Sequence, residues 1–325
     1  MNKKTIEIKE RNLALEAVRV TEAAALSASS WIGLGEEKKA DAAAVKAMRE
    51  SLNALDIDGE VVIGEGERDK APMLYIGEKV GSKVGGPEID IALDPLEGTT
   101  ICATGGQNAL TVIAIAKKGC FLNAPDIYMD KIAVGGGLPN DIVSLEEQPE
   151  VNIKNLAKAK KKDINELVIC ILNRERHLEL IKKCRETGAR IMLISDGDVS
   201  GVIATAEEDS GVDMYMGIGG SPEGVLAAAA LRCIGGQMQT RLKFRDDNEI
   251  KRARKIGIDN LDKIYNLHEL ASGDVMFAAT GVTDGNMLRG VKNREGFAFT
   301  ESIVMRSSTQ TVRKIKAKHS LKSKL

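Results

Sequence analysis

Asp94, Glu97 and Thr99 stand within six residues of one another in DPLEGT, at the end of an apolar run containing Ile89, Ile91 and Leu93. Two carboxylates three residues apart repel each other, and no basic residue lies between them. A cation from solution is the simplest compensation, and a hydroxyl at the start of a following turn suits a phosphate oxygen. The same residues also suit an ordinary strand-to-turn connection, with Thr99 as a helix N-cap. The run VVIGEGE at 61–67 tips the balance, because Glu65 and Glu67 between glycines bring nothing to a buried strand's structure.

The elements that must carry these groups follow from periodicity. Residues 13–30 and 39–54 have apolar residues at helical spacing, separated by WIGLG. Short apolar runs at 60–63, 89–93, 109–116 and 131–134 read as strands, giving an α+β first lobe to about residue 150. A lysine-rich stretch, 151–166, follows and reads as a solvated helix face. Beyond it strands and helices alternate through LVICIL, ARIMLI and VDMYMGI, the pattern of a doubly wound parallel sheet. Runs at 275–282 and 297–305 read as two more strands. The expected division is 1–155 and 156–325, with the last strands returning to the first lobe. The tail from Arg313 has six Lys/Arg and no acid, and reads as a frayed basic end.

Composition narrows the function. The 325 residues are 43% hydrophobic and 29% charged with a net charge of -1, which gives no global field for nucleic acid or an anionic membrane. No apolar run approaches the roughly 18 residues that span a bilayer, and the N-terminus is too polar for a signal peptide. The chain is expected in the cytoplasm. Five scattered cysteines without a CxxC pair fit a reducing compartment, and three histidines make a histidine metal site a poor expectation.

In an open α/β sheet, ligands sit outside the carboxyl ends of the strands. There the second half offers Arg174-Glu175-Arg176-His177, Asp196-Gly197-Asp198 and Gly219-Gly220-Ser221-Pro222-Glu223. Acids and glycine-exposed amides alternate with arginines, which fits a phosphate ester held with a hard divalent cation. No GxxxxGK[ST] is present, and the glycines are misplaced for a dinucleotide site, which argues against a kinase or dehydrogenase.

DPLEGT resembles the D-P-x-[DE]-G-T signature of the metal-dependent, lithium-sensitive sugar and inositol phosphatases. Together with KADAAAVKAMR, VIGEGERDKAPMLYIGEKVG, KGCFLNAPDIYMDK, SDGDVSG and GIGGSPEGVLAAAALR, it resembles the class II fructose-1,6-bisphosphatases of bacteria from about Arg19 to Arg313. The resemblance implies a layered α/β/α/β/α fold and a homo-oligomer, dimer or tetramer. It implies metal ligation by Asp41, Glu65, Asp94, Glu97 and Glu223, with Mn²⁺ or Mg²⁺. It implies substrate contacts at Glu97, Gly98, Thr99, Tyr128, Arg174, Glu175, Arg176, Asp196, Gly197, Asp198 and Gly220, and catalysis by Thr99, Glu65 and Asp94. The implied reaction is hydrolysis of the 1-phosphate of fructose 1,6-bisphosphate in gluconeogenesis. Sedoheptulose 1,7-bisphosphate is an alternative substrate. A phosphosugar-binding regulator is the non-enzyme alternative, against which all five ligand carboxylates are present. His177 reads as a residue that orients a neighbour and Glu67 as a group behind the ligands. Where many relatives have proline, Glu175 lies between two arginines and makes the Arg174 contact less secure than that of Arg176.

Overall fold

A computed structural model describes residues 3–64, 73–82 and 86–321, with side chains from residue 13 onward. Glu65, Gly66 and Glu67 lie outside the described residues. The chain opens with α1 (Lys3–Ser29) and α2 (Glu37–Asn53), then β1 (Asp58–Ile63), β2 (Lys79–Val80), β3 (Glu88–Glu97), α3 (Thr99–Thr104) and β4 (Leu110–Lys117). Next come β5 (Tyr128–Gly135), α4 (Pro149–Lys160), β6 (Val168–Leu172), α5 (Leu178–Glu186), β7 (Arg190–Ile194), α6 (Asp198–Ala204) and β8 (Met214–Gly220). They are followed by α7 (Ser221–Ile234), β9 (Gly236–Lys243), α8 (Asp247–Lys255), β10 (Ile264–Asn266) and α9 (Leu267–Leu270). The chain ends with β11 (Met276–Gly281), β12 (Lys292–Arg294), β13 (Phe297–Arg306) and β14 (Thr311–Ser320).

The chain divides into two compact units, 1–120 with 273–325, and 121–272. The boundary expected near 155 falls inside α4. The reason is β5, which pairs with β8 and β9 in the second unit's sheet and so takes its flanking residues with it. In the other direction, β11 and β13 extend the first unit's sheet through β4.

The first unit's sheet runs β12-β13-β11-β4-β3-β1-β2, with β14 added along β13. Its odd residues on β3, Ile89, Ile91 and Leu93, pack with one stripe of α2 made of Ala40, Ala44, Val45, Met48 and Leu52. That stripe at helical spacing is what fixes the rotation of α2 about its axis. Helix α1 is held by hydroxyls as well as by methyls. Thr280 Oγ1 lies 2.8 Å from both Thr21 Oγ1 and Ser302 Oγ, and Thr111 Oγ1 donates to Thr21 O at 2.8 Å. All four residues are fully buried, and each hydroxyl has a partner, as burial requires.

The basic tail is not frayed. Residues 311–320 pair with β13 over ten positions. Alternation explains it, because Ile315 packs against the core while Lys314, Lys316 and Lys318 alternate onto the opposite face, where lysines discourage further strand pairing.

The second unit's sheet runs β10-β9-β5-β8-β6-β7. Its β6, β7 and β8 are parallel and form the expected βαβαβ unit; β5, β9 and β10 extend it antiparallel. The lysine-rich stretch forms α4 with Ile153, Leu156 and Ala157 inward. Its end is tied to the sheet by Asp213, whose Oδ1 accepts from Lys160 and Lys162 at 2.5 and 3.1 Å and whose Oδ2 accepts from Val168 N at 2.9 Å.

Burial alone would raise the Asp213 pKa, but Lys160, the Val168 N–H and Lys162 together bring it below the usual carboxylate value. A depressed folded pKa gives stability that is present above the unfolded value of about 3.9 and lost as pH falls below it. Asp213→Asn should therefore be less stable than wild type in urea from pH 8 to about 5, with the gap narrowing below about pH 4. A gap independent of pH would show that the charge on Asp213 does not contribute.

Candidate active site

Strand β3 does not stop at Leu93. It runs to Glu97, and its register against β4 shifts between Asp94, opposite Val112, and Glu97, opposite Leu110. Three steps on β3 thus match two on β4, a β-bulge with one extra residue. Pro95 has no N–H for the ladder, and Leu96 N donates instead to Asp94 Oδ1 at 3.0 Å. The bulge changes parity. On a regular strand, residues three apart point to opposite faces. Here Asp94 and Glu97 share the face of Val112 and Leu110, away from the Ile91 and Leu93 core. Both carboxylates are nearly buried, at 6% and 3% exposure.

Gly98 follows in the left-handed region, φ 83° and ψ 51°, a conformation that favours glycine. It turns the chain directly into α3, whose first residue is Thr99. Gly98 holds the cap position, and there is no side-chain cap bond, so Thr99 is not the N-cap. Its hydroxyl has no hydrogen-bond partner among the described residues, and the residue is half-buried. Asp41 lies half-buried in the first turns of α2, one residue from the inward-facing Ala40.

The second unit presents a different chemistry at its strand ends. Arg176 donates from Nε and Nη2 to Ile218 O at 3.0 and 2.7 Å, and its guanidinium lies 4.7 Å from the centre of the Tyr128 ring. Arg245 lies 5.2 Å from the same ring. Arg174 is 3.7 Å from Asp196, and Glu175 forms no ion pair with either arginine among the described residues. Gly197 has φ 83° and ψ 52°, nearly the Gly98 conformation, and turns the chain into α6 at Asp198.

His177 fastens this end of the sheet. Nδ1 lies 2.8 Å from Leu172 O, and Nε2 accepts from Ile218 N at 2.8 Å, so the ring is neutral with its proton on Nδ1. The His177 amide also donates to Arg174 O at 2.9 Å, which fixes the turn carrying both arginines. Glu223, in the first turn of α7, lies back over Gly220, where a Cβ would come 2.0 Å from Oε2. Glycine leaves the space that this carboxylate fills.

Two residues of this region were missed in the sequence. Lys131, on β5, is 1% exposed and bonded to Asp198. Its signal was present, since alternation in YMDKIAV puts Lys131 on the buried face with Met129 and Ala133. Arg245 had no signal, because its stacking on Tyr128 depends on the pairing of β5 with β9.

Among the described residues, no three His, Cys, Asp or Glu side chains form a metal cluster by themselves, and Glu65 is outside that set. The donor chemistry nevertheless fits a hard divalent cation. Asp94 and Glu97 are like-charged oxygen donors on one buried strand face.

Each unit therefore has one polar strand end, acidic in the first and rich in arginine and tyrosine in the second, as suits a protein handling phosphate esters. The family model described as bacterial fructose-1,6-bisphosphatase, glpX-encoded, matches residues 11–319. The chain is 45% identical to fructose-1,6-bisphosphatase 1 class 2 of Escherichia coli (strain K12), over 97% of each chain. It has the same identity and coverage with fructose-1,6-bisphosphatase class 2 of Shigella flexneri. The chain belongs to the bacterial, class 2 fructose-1,6-bisphosphatase family, which is metal-dependent.

Burial lowers the His177 pKa, against the Leu172 carbonyl bond that raises it and with Arg176 lowering it further. The stability that the neutral ring contributes is present above its unfolded value of about 6.5 and is lost as pH falls below that. His177→Phe should lose about 1–3 kcal/mol at pH 8, from a buried N–H and C=O left without partners. It should also lose the wild type's decline in stability between about pH 6.5 and 5. Denaturant titrations at the two pH values check both, and an unchanged decline would assign it to another group.

Proposed function

We propose that the chain hydrolyses the 1-phosphate of fructose 1,6-bisphosphate to fructose 6-phosphate and phosphate, a step of gluconeogenesis. The observation that carries this reading is the bulged end of β3, with two buried carboxylates on one face and, two residues later, a threonine hydroxyl that has no partner among the described residues. Family membership over nearly the whole chain supports it independently.

Asp94 and Glu97, with Asp41, Glu65 and Glu223, are the residues that would hold the divalent cation, Mn²⁺ or Mg²⁺. When bound, such a cation neutralises phosphoryl oxygens and lowers the pKa of water. The backbone from Glu97 to Thr99 binds the reacting phosphate, and the left-handed Gly98 lets it approach closely. Thr99 supplies a hydroxyl that would orient the attacking water, and Asp94 and Glu65 are the carboxylates proposed to act with it. Arg174 and Arg176 bind the distal 6-phosphate, which adds binding energy away from the reacting bond. Tyr128 backs Arg176 by its ring face, with Glu175 alongside, and the Asp196–Asp198 segment and Gly220 contact the sugar. We propose that the enzyme works in the cytoplasm as a homo-oligomer; among the described residues no helix is long and apolar enough to cross a membrane.

Phosphate release from fructose 1,6-bisphosphate should vanish with chelator and return with Mn²⁺ or Mg²⁺. Full activity after exhaustive chelation would overturn the role given to the carboxylates. Thr99→Ala should fold normally and lose roughly 10²-fold or more in kcat, and Thr99→Ser should recover part of it. Because Gly98, not Thr99, holds the cap position, the alanine variant should melt close to wild type. Near wild-type turnover in Thr99→Ala would remove the hydroxyl from the mechanism.

A further inference from the structure

Lys131 puts a charge where a charge is costly. It is 1% exposed, yet Nζ donates at 2.7 Å to Asp198 Oδ2, on a carboxylate that is itself 5% exposed. The Tyr215 hydroxyl donates to the same oxygen at 3.3 Å, and burial together with Asp198 raises the Tyr215 pKa well above its ordinary value, so the tyrosine stays a donor. The space around the pair is cleared by glycines. At Gly219 a Cβ would meet Asp198 Oδ2 at 1.9 Å and Lys131 Nζ at 3.1 Å. At Gly224 it would meet Met129 Sδ at 2.5 Å and Lys131 Cε at 3.3 Å.

A buried ion pair is rarely more stable than well-packed apolar side chains of the same volume, whereas losing one partner is strongly destabilising. The pair is therefore poorly explained by stability and well explained by position. Asp198 is the first residue of α6, and Gly197 immediately before it makes the left-handed turn after β7. Whatever fixes the Asp198 carboxylate also fixes the height and direction of that turn.

We infer that Lys131 is a positioning residue for substrate binding: through Asp198 it sets the Asp196-Gly197 turn against which the sugar rests. The inference builds on the reading of segment 196–198 as a sugar contact and changes one member of it. Asp198 Oδ2 is already engaged twice, so Asp198 is an anchor. Asp196, 36% exposed, is the carboxylate of the segment left accessible to a sugar hydroxyl.

Steady-state kinetics with fructose 1,6-bisphosphate on four variants test this. Lys131→Met should raise KM by roughly tenfold or more with kcat within about threefold of wild type, since the acidic strand end and Thr99 are in the other unit. Gly219→Ala keeps both charges but pushes Asp198 aside, and should give the same split; it also serves if Lys131→Met fails to fold. Combining Lys131→Met with Asp198→Asn removes the pair altogether while keeping an acceptor for Tyr215, and because the two residues act as one unit KM should rise no further than in Lys131→Met alone. Unchanged KM in both Lys131→Met and Gly219→Ala would overturn the inference. A fall in kcat at unchanged KM would put Lys131 in the chemistry, and a double variant with KM well above that of the single would make the two residues independent substrate contacts; either result overturns the inference. Asp196→Ala tests the underlying reading alone: unchanged KM there overturns the segment's sugar contact, whatever Lys131 does.

Discussion

One extra residue in β3 decides what the first unit can do. Asp94 and Glu97 are separated by three positions, which on a regular strand would send one carboxylate into the apolar core against α2. The bulge at Pro95 and Leu96 absorbs a residue, so both carboxylates reach the same face while Leu96 still enters the core. Two like charges at under a tenth of full exposure repel each other, and a cation bound between them would offset that repulsion. The rest of the unit serves that strand end. The α2 stripe packs against its odd residues, β4 sets its register, and Gly98 turns the chain sharply enough for Thr99 to follow at once.

The second unit solves the opposite problem, holding cations and a tyrosine at a strand end without losing them to disorder. Backbone groups do most of it. Arg176 is aimed by two bonds to one carbonyl, and the turn before it is fixed by a neutral histidine that joins β6 to β8 beyond their last paired residues. Side chains ordered in this way before binding would lose less conformational entropy if a phosphate bound there.

Much of this was legible in the sequence, and the exceptions have specific causes. Helical stripes and alternating strands placed most elements, because their apolar periods are intact. DPLEGT, the two arginines and SDGD were recognisable because strand ends in α/β proteins collect glycine and charge. The bulge was not legible: proline at 95 reads as the end of a ladder, and only the pairing with β4 reveals that the strand continues past it. Residues 128–135 read as part of the first lobe, since nothing in an apolar strand states which sheet it joins. Lys131 was overlooked inside that strand, where alternation alone marked it as a buried charge. The tail from Arg313 read as frayed because its charge hid the alternation that places Ile315 inward.

The claim on which the account rests is that Asp94 and Glu97 act together on one cation. Anomalous diffraction at the manganese edge, on crystals grown with Mn²⁺ and inorganic phosphate, tests it directly. Manganese should be bonded to oxygens of both Asp94 and Glu97, at about 2.1 Å, the distance usual for small hard cations. Manganese bound elsewhere, or to neither carboxylate while the enzyme is active, would contradict it.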